Sequence, residues 1–342
     1  MLYIFLLYNL VILFLALYIK KKKYFSNYSG DKHQIFSNEK NIPLIGGIFL
    51  LMPILSISYH NFAYNLMILS IFILGLLSDQ KILVSAKKRF LFQIILILFS
   101  VILLDLKILS SRIFYFDSFL ELTIFNIFFT TFCLLILING SNFIDGLNGL
   151  LLIYMTTVIY ILLDLNLKLL VEINEAYTIF LIITLILVVM LNITNNLMLG
   201  DTGAYILSFF VGYLIIKCHN SNPNISPYFF ITLLWYPCFE NLFSILRKFK
   251  LGKSPVYPDS KHFHQLLFYF LKKKFKFNNL ICNNCSSIII NFYNLLILFF
   301  GSFNIYNTQL LILLISINMV LYTVIYFKLF SFKYKILVSY KK

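Results

Sequence analysis

The chain has 342 residues, 61% of them hydrophobic and only 12% charged, with a mean hydropathy of +0.89. Soluble domains carry about a quarter charged residues, and disordered chains combine low hydrophobicity with high charge, so both classes are excluded. The net charge of +15 suggests a nucleic-acid ligand only until its placement is read.

The apolar runs are about 15–20 residues long, which suits membrane-spanning helices and not the alternating ~10-residue strands of an outer-membrane barrel. In chain order, spans are predicted near 2–19, 42–58, 61–77, 90–106, 122–138, 147–163, 177–191, 203–216, 228–246, 286–302 and 309–327. The first lacks a basic region before it and is followed by Lys20–Lys23, the wrong polarity for a cleaved signal peptide. The expected fold is an all-α polytopic membrane protein of about eleven transmembrane helices, a single bundle domain over 1–342 with a cytoplasmic catalytic loop near 247–285. Alternating the loops between sides puts 24 of the 28 Lys and Arg together, six in 20–40, four in 81–89, nine in 247–276 and five in 328–342. Only Lys107, Arg112, Lys168 and Lys217 fall on the other side. Positive residues stay cytoplasmic, so the N-terminus is expected outside and the C-terminus inside. The basic excess then belongs to topology, and no nucleic-acid partner is expected.

An ionisable residue within such a bundle costs on the order of 2.5–3.5 kcal/mol on insertion scales, so each one needs a reason. Asp79 ends the third span in LGLLSDQKILVSAKKRF; read alone, it is a solvated helix end. NGSNFIDGLNGL enters the sixth span with Asn139, Asn142, Asp145 and Asn148 at every third residue and Gly140, Gly146 and Gly149 among them. That spacing keeps polar groups on one drifting helix face or one face of a 3₁₀ turn. It suits a polar ligand, or a structural hydrogen-bond network between helices. In LNITNNLMLGDTGAYILSFFVGY, Asp201 and Thr202 stand where a helix N-cap belongs. A helix start also offers free N–H groups to phosphate, and Asp201 with Asp145 across the bundle suits Mg²⁺ bridging phosphate oxygens.

The last such segment is ENLFSILRKFKLGKSPVYPDSKHFHQLL. Glu240 lies inside the ninth span, and the loop then supplies Arg247, Lys248, Lys253, Lys261, His262 and His264. Arg and Lys hold charge on phosphate oxygens or meet anionic lipid headgroups, and His can neutralise or protonate a phosphate leaving group. Of the five cysteines, Cys133, Cys218, Cys238, Cys282 and Cys285, the last two form a C-x-x-C in the same loop. Its spacing to the two histidines matches no familiar zinc finger, so the thiols read as incidental. Asp105, Asp117, Glu121, Asp164, Glu172 and Glu175 fall in or beside external loops and read as solvated charge.

The ordered segments DKHQIFSNEKNIPLIGG, SDQKILVSAKKRFLFQ, NGSNFIDGLNGL, LMLGDTGAY and SPVYPDSKHFHQ resemble the polyprenyl-phosphate N-acetylhexosamine-1-phosphate transferases. That family includes the bacterial enzymes that initiate O-antigen and teichoic-acid synthesis and, more distantly, phospho-N-acetylmuramoyl-pentapeptide transferase. The resemblance implies a membrane-embedded transferase of the bacterial inner membrane, active on its cytoplasmic side. Its partners would be a polyprenyl phosphate and a UDP-N-acetylhexosamine, its products UMP and a lipid-diphosphate sugar, and its metal Mg²⁺, with Mn²⁺ as the alternative. Asp201 would hold the metal, and Asp145 would help bind the nucleotide diphosphate. Asn139, Asn142, Asn148 and Asn192 would be polar groups of the pocket. His262, His264, Arg247 and, beside the PLIGG turn, Lys40 would contact phosphate or sugar. A homodimer is left open.

Three positions depart from the family's pattern. Two adjacent aspartates usually follow the third span, and here they are Ser78-Asp79, so a base acting on the lipid phosphate is either absent or moved to Asp79. Asn148 replaces an Asp near the nucleoside. Ser260 and Gln265 stand where many members have Arg and His, and such changes are expected either to tune sugar choice or to mark a weakened enzyme. The rival readings are a transporter or flippase of lipid-linked sugars and a catalytically inactive scaffold. Transporters show inverted repeats and midplane ionisable residues, whereas no internal repeat is visible here.

Overall fold

A computed structural model describes residues 2–25, 42–58, 60–165, 173–252, 254 and 260–339, with side chains to residue 334. The described residues form thirteen helices: α1 Leu2–Lys22, α2 Gly46–Ile57, α3 Phe62–Asp79, α4 Ala86–Leu103, α5 Phe114–Leu120, α6 Thr123–Ile144, α7 Leu150–Asp164, α8 Glu175–Ile193, α9 Gly200–Ser221, α10 Pro227–Lys250, α11 Phe263–Phe275, α12 Asn279–Ser302 and α13 Thr308–Ser339. Each of the eleven predicted spans falls on one of them, and α5 and α11 lie in predicted loops. Among the described residues eight helices are long and apolar enough to cross a membrane, and the chain is a polytopic helical membrane protein. Of the remaining three, α2 and α7 are shorter, with 12 and 15 residues, and α4 opens on Lys87, Lys88 and Arg89.

Local chemistry starts most of these helices. Asn61, Ser85, Asn174 and Asn278 each accept a hydrogen bond from the first turn of α3, α4, α8 and α12, the usual way to satisfy orphan N–H groups. Pro227 stands in the first turn of α10, where its missing donor costs nothing. Helix α9 is different. Leu199, at its cap position, makes no side-chain cap, and 94% of its most apolar stretch is buried, so water does not serve its first N–H groups.

Around α9 the bundle closes. It packs against α3, α2 and α6, while α10 lies on α6 and α13, α8 on α2, and α12 on α7 and α11. The chain entering α2 runs beside the one entering α9: the Met198 amide donates to the Pro43 carbonyl at 2.9 Å, and the Gly46 and Gly47 amides donate to Met198 and Leu199 at 3.0 and 3.2 Å.

The two ends of the bundle differ. At one end Lys20 donates to Asn196 at 3.2 Å, Arg89 pairs with Asp201 at 2.9 Å and Arg247 donates to the Lys261 carbonyl at 2.6 Å. At the other, Arg112 donates to Thr308 and to the Asn224 carbonyl at 2.7 Å each, Lys217 donates to the Leu104 carbonyl at 3.2 Å, and Asp117 accepts from Ser110 and Ser111. The sparse basic residues of the second end meet one another's loops and never reach the first.

Gly200 has φ +76°, and a Cβ there would lie 2.6 Å from the Asp79 carboxylate. Gly252 has φ +64° with nothing within 4 Å. Gly200→Ala should therefore lower stability by about 1–3 kcal/mol, as strained non-glycine backbone does, and by clearly more than Gly252→Ala. Thermal unfolding of both variants in detergent checks the difference.

Candidate active site

The missing cap of α9 comes from α3. Asp79, the last residue of α3, accepts from the Asp201 amide at 2.8 Å, from the Thr202 amide at 3.0 Å and from the Thr202 hydroxyl. A carboxylate on the first N–H groups of a helix satisfies orphan donors and meets the positive end of the dipole. Asp79 thus works as an N-cap supplied across the bundle, not as a solvated helix end.

Its neighbour Ser78 donates its hydroxyl to Asp201 Oδ2. The same oxygen takes a hydrogen bond from Arg89 Nη1 at 2.9 Å and one from the Tyr205 hydroxyl at 3.4 Å, and Arg89 Nη1 also donates to Ser78 Oγ at 2.7 Å. The Arg89 and Asp201 side chains keep 30% and 21% exposure, so the pair is open to a ligand. Arg89 was not singled out in the sequence. Three consecutive basic residues, Lys87, Lys88 and Arg89, start α4, and only the packing of α4 on α3 decides which one faces Asp201.

Asp145 follows the end of α6 as its C-cap residue. Among the described residues no donor reaches its carboxylate. Burial, then the charges of Asp201 and Asp79, push that carboxyl well above the ordinary range, because a desolvated acid near like charges resists ionisation. Three aspartates from α3, the α6 end and α9 therefore act on one another, with Arg89 as the adjoining cation.

The asparagines around Asp145 mostly build its turn. The Asn148 amide donates to Asn283 Oδ1 at 2.7 Å, and its side chain donates to Asn195 Oδ1 at 2.6 Å. Asn192 accepts from the Gly149 amide and donates to the Leu197 carbonyl at 3.0 Å. Asn291 donates to the Gly149 carbonyl at 3.3 Å. Asn148 and Asn192, expected as pocket groups, are buried and joined to protein; Asn139 donates to the Leu135 carbonyl of its own helix at 2.9 Å, and Asn142 is half-buried. The sequence reading missed Asn195, Asn283 and Asn291, whose only signal was the density of Asn in the segments they occupy.

The histidines reach the same place from α11. His262 caps α11, with the Gln265 side chain accepting from its amide at 3.2 Å. Its Nδ1 lies 2.9 Å from Glu240 Oε1, and its ring lies 4.9 Å from Phe143 of α6. His264 stacks on His262 at 5.8 Å and is completely buried, and among the described residues neither of its ring nitrogens has a hydrogen-bond partner. Burial and the neighbouring His262 hold its pKa down at about 3, so this imidazole is neutral. A Cβ at Gly146 would come within 2.5 Å of His264 Nε2, so only glycine lets the ring sit against the Asp145 turn.

Arg247 faces elsewhere: it donates to the Lys261 carbonyl and the Tyr326 hydroxyl at 2.6 Å each and to Ser244 at 3.1 Å. It holds the loop in front of His262. Lys40 and residues 255–259 lie outside the described residues. Cys282 and Cys285 are both in α12, with the Cys282 thiol 3.6 Å from the Phe277 carbonyl. Among the described residues no three His, Cys, Asp or Glu side chains are grouped closely enough to hold an ion unaided.

Fold and site together define a polytopic membrane protein that gathers three aspartates, an arginine and two histidines at one end of its bundle. Residues 61–219 match the family described as glycosyl transferase family 4. It is 24% identical over 279 residues to the undecaprenyl-phosphate alpha-N-acetylglucosaminyl 1-phosphate transferase of Thermotoga maritima, covering 81% of this chain and 83% of that one. It is 27% identical over 243 residues to the proteins of the same name from Salmonella typhi and Salmonella typhimurium, covering 66% of this chain and 65% of theirs.

Asp79→Asn keeps one acceptor and turns the other into a donor facing the α9 amides. It should cost about 0.5–2 kcal/mol, the range for losing a helix cap, read as a lower unfolding midpoint in detergent.

Proposed function

We propose that this chain transfers N-acetylhexosamine 1-phosphate from a UDP-sugar to polyprenyl phosphate, giving a lipid-diphosphate sugar and UMP. The observation that carries the reading is the meeting of Asp201, Asp145 and Arg89 with the buried pair His262 and His264 at one end of the bundle. The named activity of the relatives from Thermotoga and Salmonella agrees with it.

A phosphate oxygen of the lipid would attack the β-phosphorus of the UDP-sugar, and the bond from that phosphorus to the bridging oxygen would break. The electron pair leaves with UMP. A phosphate monoester is already mostly ionised at neutral pH, its second pKa being about 6, so the attack needs no carboxylate base. That fits a chain with Ser78 beside Asp201 and with Asp79 occupied as a helix cap. Arg89 would hold charge on the phosphates, while His262 and His264 would contact the diphosphate or sugar from the α11 side.

The donor set fits Mg²⁺, which prefers one or two carboxylates plus phosphate oxygens and water. Among the described residues no donor reaches the Asp145 carboxylate, which feels the charges of Asp201 and Asp79, so it and Asp201 would hold the ion. When bound, the ion would offset the repulsion between two anionic substrates. Asn139 and Asn142 would line the nucleotide pocket.

The cleft would open to the cytoplasm of a bacterial inner membrane. Supporting this, the end with Asp201 is also the end of the basic segments around Lys20, Arg89 and Lys261. A midplane transport site is disfavoured because Asp79, Asp145 and Asp201 sit at helix ends. A role in surface-polysaccharide or cell-wall synthesis follows from the product's chemistry.

The test is UMP release by purified protein in detergent with undecaprenyl phosphate, a panel of UDP-N-acetyl sugars and Mg²⁺. Release should depend on the lipid and fall at least ~100-fold in EDTA and in Asp201→Ala, the scale of lost charge stabilisation at a reacting phosphate. Absence of release with every sugar, from protein shown to be folded, overturns the reading.

A further inference from the structure

Glu240 lies in the interior of α10 and is completely buried. A carboxylate so placed is tolerated only when its lone pairs are used, and here both oxygens are. Oε1 faces His262 Nδ1 at 2.9 Å and accepts from the Phe263 amide at 3.4 Å, and Oε2 accepts from the Tyr322 hydroxyl of α13. The backbone in front of the imidazole is fixed as well, since the Lys261 carbonyl accepts from Arg247 at 2.6 Å and from Tyr326 at 3.0 Å. Three segments converge on one ring. Every residue in this arrangement lies outside 61–219, the part of the chain that matches the transferase family.

We propose that Glu240 is the positioning residue for His262: by accepting the Nδ1 hydrogen it sets the ring's tautomer and direction, so that Nε2 is the nitrogen that meets the sugar diphosphate, and Tyr322 holds Glu240 for that task. The inference rests on the transferase reading above. Which imidazole nitrogen carries the proton is decided by the hydrogen bond made by the other. Among the described residues the neighbouring His264 has no such partner, so the two histidines are not equivalent despite stacking 5.8 Å apart. His264 lies against the Asp145 turn, while His262 faces a carboxylate. Phe143 lies beside the His262 ring at 4.9 Å and under the Lys248 ammonium at 5.6 Å.

Substrate binding and turnover should separate in the variants. Glu240→Gln keeps the size and one acceptor but loses the charge. Tyr322→Phe keeps the charge and loses only the hydroxyl that orients it. Carboxylate partners of functional histidines are commonly worth about 10–100-fold. Glu240→Gln should therefore lower kcat of lipid-dependent UMP release about 10–100-fold with KM for the UDP-sugar changed less than about threefold, the pattern of an interaction made mainly in the transition state. Tyr322→Phe should show the same selectivity at about 3–10-fold.

The second readout is the ¹⁵N spectrum of histidine-labelled protein, with the His262 resonances assigned by His262→Gln. In the wild type they should show hydrogen on Nδ1, and in Glu240→Gln a mixture of both tautomers. If Glu240→Gln does not fold, Tyr322→Phe must carry the kcat-selective loss alone. Wild-type kcat in both variants, a loss confined to KM, or His262 resonances that do not move overturns the positioning role. A folded wild-type protein that releases no UMP overturns instead the transferase reading, and with it this inference.

Discussion

Everything at this site depends on how α9 begins. A helix start packed among other helices has four N–H groups without helical partners, and where packing keeps water away they need protein acceptors. The Asp79 carboxylate serves two of those amides and the Thr202 hydroxyl. For that to happen the end of α3 must touch the start of α9, and the chain must turn at Gly200 with a positive φ. Once they touch, Ser78 lies on Asp201, and the short turn after Asp79 delivers Arg89 to the same oxygen. The electrostatic centre of the protein is thus a by-product of capping one helix.

That centre is arranged for anions in an unexpected way, since it gathers acids. Asp79 is satisfied by amides, Asp201 by a guanidinium and two hydroxyls, and Asp145 by nothing among the described residues. The three differ in what surrounds them more than in what they are. A capped carboxylate is structural, a half-exposed one paired with arginine is a contact surface, and a desolvated one near like charge is short of a cation. The proposed metal would supply that cation and link the acids to a diphosphate.

The histidines show the same division of labour by environment. One buried imidazole has a carboxylate and a capping position, and the other has neither. α13 matters here because it brings Tyr322 and Tyr326 against Glu240 and the Lys261 carbonyl, so a helix remote in sequence from the aspartates helps to shape the loop that faces them.

Much of this was legible in the amino-acid order. Hydropathy alone placed eleven apolar segments, each of which lies on a helix, because burial in lipid is a property of local composition. The charged and amide residues worth attention were visible for the same reason: in an apolar chain a polar residue is conspicuous. Their roles were not visible, because a role depends on partners about eighty or more residues away. Asp79 as the cap of α9, Arg89 rather than Lys87 or Lys88 on Asp201, Asn283 under the Asn148 turn and Tyr322 on Glu240 are all decided by helix contacts. Composition determined that helices would form and lie in a membrane. Only packing decided which face of each helix met which, and hence which oxygen or nitrogen was left for chemistry.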